Sequence, residues 1–287
     1  MKKGMISKVL VASVLAFTAV SSQAAVVENW DFALTMEWDI RNTVFESTGT
    51  GTQVRTPTEL SWGYAYDKNA NDKNKRSSDF FLKNDANKAR SGLVITQPNV
   101  AGNINTSYEG GSLFTVDANM FRHYNSAIAA DYKALLSTKM DVTVQLYLPG
   151  TGDLVRELTQ RFEIHFYETP NISGNNCAWG VCENDIFAII SLMDFSQTFD
   201  YDGVSYTFNY FETNDKQIKQ LSETTCKVMG FSAGSCFGFT TNENMATDVK
   251  FNFSITTAVP EPETYAMMLA GLGLVGIVAR RRRNVIR

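Results

Sequence analysis

An all-β fold, an antiparallel β-sandwich of jelly-roll or Greek-key type with a special segment at each end, is what this 287-residue sequence predicts. Three observations predict it. Several short stretches alternate large apolar with small or polar residues, the period-two pattern of a half-buried strand. Clusters of Gly, Thr, Pro and Asp, such as 47–52 and 149–153, separate those stretches. Helical periodicity is nearly absent, and many short strands with few helices favour two packed sheets.

The elements follow in chain order. Residues 1–24 read as a signal peptide: Lys2, Lys3 and Lys8 precede an apolar run from Val9 to Val20 and a small-residue exit, Ser22-Gln23-Ala24. In the stretch from Trp30 to Trp38 every even position is large and apolar, which predicts the first strand. Ser126 to Lys139 places Ile128, Tyr132 and Leu135 at near-helical spacing, so a short helix or an irregular crossover is expected there. Alternation returns at Val142, Val144, Leu146 and Leu148. It recurs at Phe162, Ile164 and Phe166, with Arg161, Glu163 and His165 on the opposite face. Ile186 to Leu192 is continuously apolar, as in a central strand. Phe199 to Tyr206 predicts a hairpin turning at Asp202-Gly203. Phe251, Phe253 and Ile255 close a domain spanning 25–258.

The tail, 259–287, differs. Residues 265–279 are 15 uncharged residues, followed by a basic end over 280–287 that opens with Arg280, Arg281, Arg282 and Arg283. As a helix this run is about 22 Å long, short for a hydrocarbon core that takes about 20 residues to cross. The arginines favour the cytoplasmic side and place the body on the other. Pro260, Glu261 and Pro262 stand just before the run. Pro-Glu-Pro, a short transmembrane segment and a basic terminus, in this order, closely resemble the PEP-CTERM sorting signal. The resemblance implies an exosortase-type membrane protease as partner and a membrane contact through the C-terminal helix. It also implies a route from an inner-membrane-anchored precursor to the cell envelope or extracellular matrix.

A second resemblance lies in the body. Leu60-Ser61-Trp62-Gly63, Ser91-Gly92-Leu93-Val94-Ile95, Phe121-Arg122-His123-Tyr124-Asn125, the segment 166–171 and the segment 182–187 are similar to pieces of the THxN family of PEP-CTERM proteins. The signature itself departs, because Arg122 stands where that family has threonine.

Composition narrows the partners. The chain has 26 basic and 30 acidic residues; taking off Lys2, Lys3, Lys8, the five tail arginines, Glu261 and Glu263 leaves a body with 18 basic and 28 acidic. A body near −10 repels phosphate backbones, so no nucleic-acid partner is expected. The four cysteines fall in two local pairs, Cys177 with Cys182 and Cys226 with Cys236, and an exported chain permits disulfides. Four cysteines allow three connectivities; the two local pairs are favoured because each closes a short, turn-rich loop. Their spacing does not fit a zinc site, and neither metal nor cofactor is expected.

Candidate sites are few. His123 and Asn125, two apart on a strand, share a face and form the candidate ligand-binding pair. The bland alternative is a histidine and an amide tying down a strand end. Asp67 to Asp72 spaces oxygens as a calcium loop does, but Asp72 stands where glycine is needed and Ser78 where glutamate belongs, so a surface loop is expected. Glu183 and Asp185 are a candidate carboxylate pair for glycoside hydrolysis. Tyr64, Tyr66, Tyr108, Tyr124 and Trp179 are candidate sugar platforms, with loop packing as the alternative. The expected protein is not an enzyme. It is an exported structural or adhesive component of the envelope or matrix in contact with exopolysaccharide; a glycan-active hydrolase or a carbohydrate-binding protein is the alternative.

Overall fold

The computed structural model describes residues 25–64, 88–169, 184–190, 195–213, 216–258 and 271–275. The fold is all-β. The first strands are β1 (Asn29–Trp38), β2 (Val44–Phe45), β3 (Thr52–Arg55), β4 (Glu59–Gly63), β5 (Arg90–Gln97), β6 (Asn99–Tyr108) and β7 (Val116–Asn125). There follow β8 (Leu135–Tyr147), β9 (Leu154–Tyr167), β10 (Asn184–Ile189), β11 (Phe195–Tyr201), β12 (Val204–Glu212) and β13 (Lys219–Gln220). A short helix α1 (Glu223–Val228) precedes β14 (Phe237–Asn242) and β15 (Met245–Thr257).

One run of hydrogen-bonded neighbours orders the strands β13-β14-β10-β9-β8-β1-β6-β15-β7-β5-β4-β3, with β12 and then β11 attached to the other edge of β15 and β2 to β8. β6 joins two layers: residues 99–105 pair with β1, and residues 106–108 pair with β15. The inward faces of the layers meet as aromatic contacts, Phe32 on Phe253 at 4.6 Å, Trp62 on Phe166 at 4.9 Å and Phe121 on Phe187 at 5.4 Å between ring centroids. Such edge-on and offset pairs add to what their burial contributes.

Alternation decides which side chains meet there. Trp30, Phe32, Leu34, Met36 and Trp38 are all buried, and so are Phe162, Ile164 and Phe166 and Phe251, Phe253 and Ile255. β10 is flanked by β9 and β14, and its apolar run is buried over Ile186–Ile189; Ile190 is exposed, and residues 191–192 of the expected run lie outside the described residues. The β11–β12 hairpin turns at Asp202 and Gly203 with φ of 47° and 76°, the left-handed pair that matches strand twist.

One expectation is corrected, and one left open is decided. The sheets are not purely antiparallel: Ile255–Thr257 of β15 runs parallel to Thr106–Tyr108 of β6. These strands lie far apart in sequence, so no hairpin dictates their relative direction. Of the two readings of Ser126–Lys139, the irregular crossover holds over 126–134 and the helix does not form, and β8 begins at Leu135. Two partners draw that end into the sheet, since Ser137 faces both His165 and Val44.

The helix that does form, α1, is capped by Ser222, whose side chain accepts from Thr225 N–H at 3.1 Å. Its second half lies in the loop closed by the Cys226–Cys236 disulfide; Cys177 and Cys182 lie outside the described residues. Closing a loop of this size stabilises by about 2–3 kcal/mol through the unfolded chain. Replacing both Cys226 and Cys236 by serine should therefore lower the unfolding free energy by that amount, read from urea titrations. An unchanged midpoint would refute the staple. Among the described residues no helix is long and apolar enough to cross a membrane. Of the segment 265–279, residues 271–275 are helical and the rest is outside the described residues.

Candidate functional site

The Arg122-His123-Tyr124-Asn125 stretch lies on β7 between β5 and β15. Alternation turns His123 and Asn125 inward and Arg122 and Tyr124 outward, so the pair does share a face, and that face is the interior. Both are completely buried. Their common anchor is Thr241 on β14. The Asn125 side-chain amide donates to the Thr241 carbonyl at 2.7 Å, and His123 Nδ1 lies 2.8 Å from Thr241 Oγ1. The Thr241 hydroxyl donates onward to Thr247 Oγ1 at 2.8 Å. Its proton is thereby engaged, so Nδ1 is the donor and the lone pair of His123 sits on Nε2. The edge of the imidazole meets the Phe166 ring at 5.1 Å. Burial among these groups pushes the imidazole pKa down to about 3.

The bare Nε2 faces Asp185 Oδ2 at 3.7 Å. Asp185, at the start of β10, is also fully buried, and its Oδ1 accepts from Thr169 N–H at 3.1 Å. Beside it Glu168 takes a 2.8 Å hydrogen bond from the Trp62 indole on Oε2, while its Oε1 is enclosed without a partner. The Glu168 and Asp185 carboxyls share this enclosure, with Glu168 Oε1 and Asp185 Oδ2 both left without a hydrogen-bond partner. Two carboxylates shut in together are costly when both are ionised, so the pair holds a proton. Burial, then Glu168, drives Asp185 far above the usual carboxylate range. Burial drives Glu168 to about 8, with the Trp62 bond pulling the other way and the Glu243 charge adding to the rise.

The result is a polar chain through an apolar core: Thr247, Thr241, His123, Asp185, Glu168, Trp62. Chemically it stores a proton and fixes the mutual position of β7, β9, β10 and β14. Of the Glu183–Asp185 pair, Asp185 is fully buried and Glu183 lies outside the described residues. Glu168 was missed because nothing in Phe166-Tyr167-Glu168-Thr169 distinguishes it from a surface glutamate; only the fold brings it to Asp185. Of the candidate platforms, Tyr64 is exposed, Tyr108 hydrogen-bonds Glu28 at 2.6 Å and Tyr124 lies beneath the Arg122 guanidinium. Tyr66, Trp179 and the loop Asp67–Asp72 lie outside the described residues. Among the described residues, no group of three or more His, Cys, Asp or Glu is placed to hold a metal ion.

Residues 258–283 match the PEP-CTERM protein-sorting motif. No curated protein matches the chain in sequence. The matched segment contains Pro260, Glu261, Pro262 and Arg280 to Arg283. The motif marks an exported protein that is sorted and processed by exosortase, a membrane protein.

Proposed function

We propose that this chain is a non-catalytic structural or adhesive protein of the cell envelope or extracellular matrix, delivered there through its tail and associated with exopolysaccharide. The observation that carries the reading is the sorting motif at 258–283 directly after a β-rich body whose final strand ends at Thr257. The matched segment begins at Ala258, directly after the last described strand ends at Thr257. In the same reading the two layers form a β-sandwich of Greek-key or jelly-roll type and the body belongs to the THxN family. The run 265–279 is then a short membrane helix that retains the precursor until processing. A glycan-active hydrolase is the weaker alternative, because Asp185 is shut in the core.

The intact mass of the protein from the membrane, envelope and medium fractions tests this reading. The expected mass from the matrix fraction lacks residues 1–24 and everything beyond the Pro-Glu-Pro region. A full-length tail on all of the protein, found only in the membrane fraction, would overturn delivery to the matrix.

A further inference from the structure

The outer side of β7 holds a feature that the buried chain does not use. A cleft of about 440 Å³ opens where β5, β7 and β15 run side by side. Gln97, Asp117, Asn119, Arg122, Lys250 and Asn252 contribute to its lining. A second hollow of about 260 Å³ shares Thr213, Asp248 and Lys250 with it, so the two form one groove.

Two register shifts build the cleft. Asn252 faces Asp117 and Lys250 faces Met120, so β7 spends one residue more than β15 over this step. Ile95 faces Phe121 and Gln97 faces Met120, so β5 spends one residue more than β7. Both shifts therefore fall at Met120, one on each side of β7. A bulge bends its strand and re-aims the side chains around it. Two at one rung dent the outer surface and turn Gln97, Asp117 and Asn252 toward the same hollow.

The polar groups there are arranged in pairs. Arg122 grips Asp248 through Nε and Nη2, at 2.5 and 2.7 Å. Asn252, in the orientation that satisfies its neighbours, donates to Asp117 Oδ1 at 3.3 Å. Asn119 is completely buried at the floor. Its amide nitrogen donates to the Gln97 and Pro98 carbonyls at 2.9 and 3.1 Å, and its Oδ1 has no partner. A buried acceptor left unpaired is costly and calls for a donor.

The chemistry of the lining selects the ligand. Two cations, Arg122 and Lys250, stand against two carboxylates, Asp117 and Asp248, so the lining favours neither a polyanion nor a cation. Amides, carboxylates and a guanidinium side by side offer donors and acceptors at once, which suits adjacent hydroxyls that both give and take a hydrogen bond. Met120 supplies an apolar contact for the C–H side of a ring. We propose that this cleft binds a neutral oligosaccharide segment, with Asp117, Asn119 and Lys250 as its polar contacts; the inference rests on the matrix reading above.

The test uses the protein as recovered from cells, probed with neutral, uronate-containing and phosphorylated oligosaccharides on one array. Titration with the neutral oligosaccharide that binds best then compares wild type with Asp117→Ala and Lys250→Ala. Both positions are exposed, so neither change should move the unfolding midpoint. The expected result is binding to neutral oligosaccharides that weakens at least tenfold in each variant. Binding that survives both substitutions, a preference for charged sugars, or a blank array overturns the cleft. If the array is blank while the protein still fractionates with the matrix, the inference falls and the matrix reading stands. Retention of all the protein in the membrane fraction overturns that reading whatever the array shows.

Discussion

Glu168→Gln is expected to make the protein more stable than wild type at pH 8 and to reduce its loss of stability on the alkaline side. In the folded protein Glu168 titrates near 8 against an ordinary value of 4.5, chiefly because its carboxyl is enclosed. Folding therefore retains a proton that the unfolded chain releases. The associated stability is fully present below about 4.5 and is lost as pH rises through about 8. Asp185 shifts the same way and shares the proton, so the transition belongs to the pair. His123 works in the opposite sense. Its folded value near 3, below the ordinary 6.5, adds stability above 6.5 that is lost as pH falls toward 3. The two effects oppose each other between about 4.5 and 6.5 and leave the carboxyl pair alone above 6.5. At about 1.4 kcal/mol per pH unit, wild type should lose about 2 kcal/mol between pH 6.5 and 8. Glutamine keeps an acceptor for the Trp62 indole and has no charge to form, and Asp185 loses the Glu168 charge that helps to raise it, so the variant should lose less than wild type. Urea titrations at the two pH values decide it; parallel losses in the two proteins would sink the proton-sharing pair.

What could be read in advance, and what could not, follows from range. Trp30 to Trp38 announced its buried face because period-two burial is written in consecutive residues, and Asp202-Gly203 announced its turn because left-handed backbone selects those residue types. The tail was equally legible, since its three parts stand in order within one short segment. The interior of the site was only half visible. The spacing of His123 and Asn125 showed that they share a face, but not that the face is the core. Thr241 on β14, Asp185 on β10 and Glu168 just past the end of β9 come together there, and sequence separation hides that convergence. Arg90 makes the same point, a fully buried cation bonded to Thr52 and Ser61, set in a segment that reads as an ordinary apolar strand. The segment before β8 stayed open between helix and crossover because Ile128, Tyr132 and Leu135 satisfy a helical spacing locally, whereas pairing with β2 and β9 draws Leu135 onward into the sheet.

Gly238→Ala is expected to be the most damaging small substitution near this site. Gly238 pairs with Ala188 of β10 on one side and Lys219 of β13 on the other. A Cβ built there would overlap the carbonyl oxygen of Phe187. That atom belongs to the backbone of a central strand, so it cannot swing aside as a side-chain end would. The strands must part or shift register instead. Either movement disturbs Phe239, which stacks on Phe187 at 4.8 Å and lies 6.2 Å from the His123 ring. Overpacking a rigid interior costs about 1–3 kcal/mol and more where backbone must move, so a loss of about 3 kcal/mol or more is expected. Gly102→Ala is the control: its Cβ would reach the Phe32 ring at 3.4 Å, a contact that the ring can absorb. The measurement is the pair of unfolding midpoints, together with the His123 ring resonances. Gly102→Ala should leave both close to wild type, while Gly238→Ala shifts both, because the glycine lets β14 approach β10 closely enough for Thr241 to hold His123 and Asn125. Equal midpoints for the two variants would mean that this close approach is not what positions the buried polar chain.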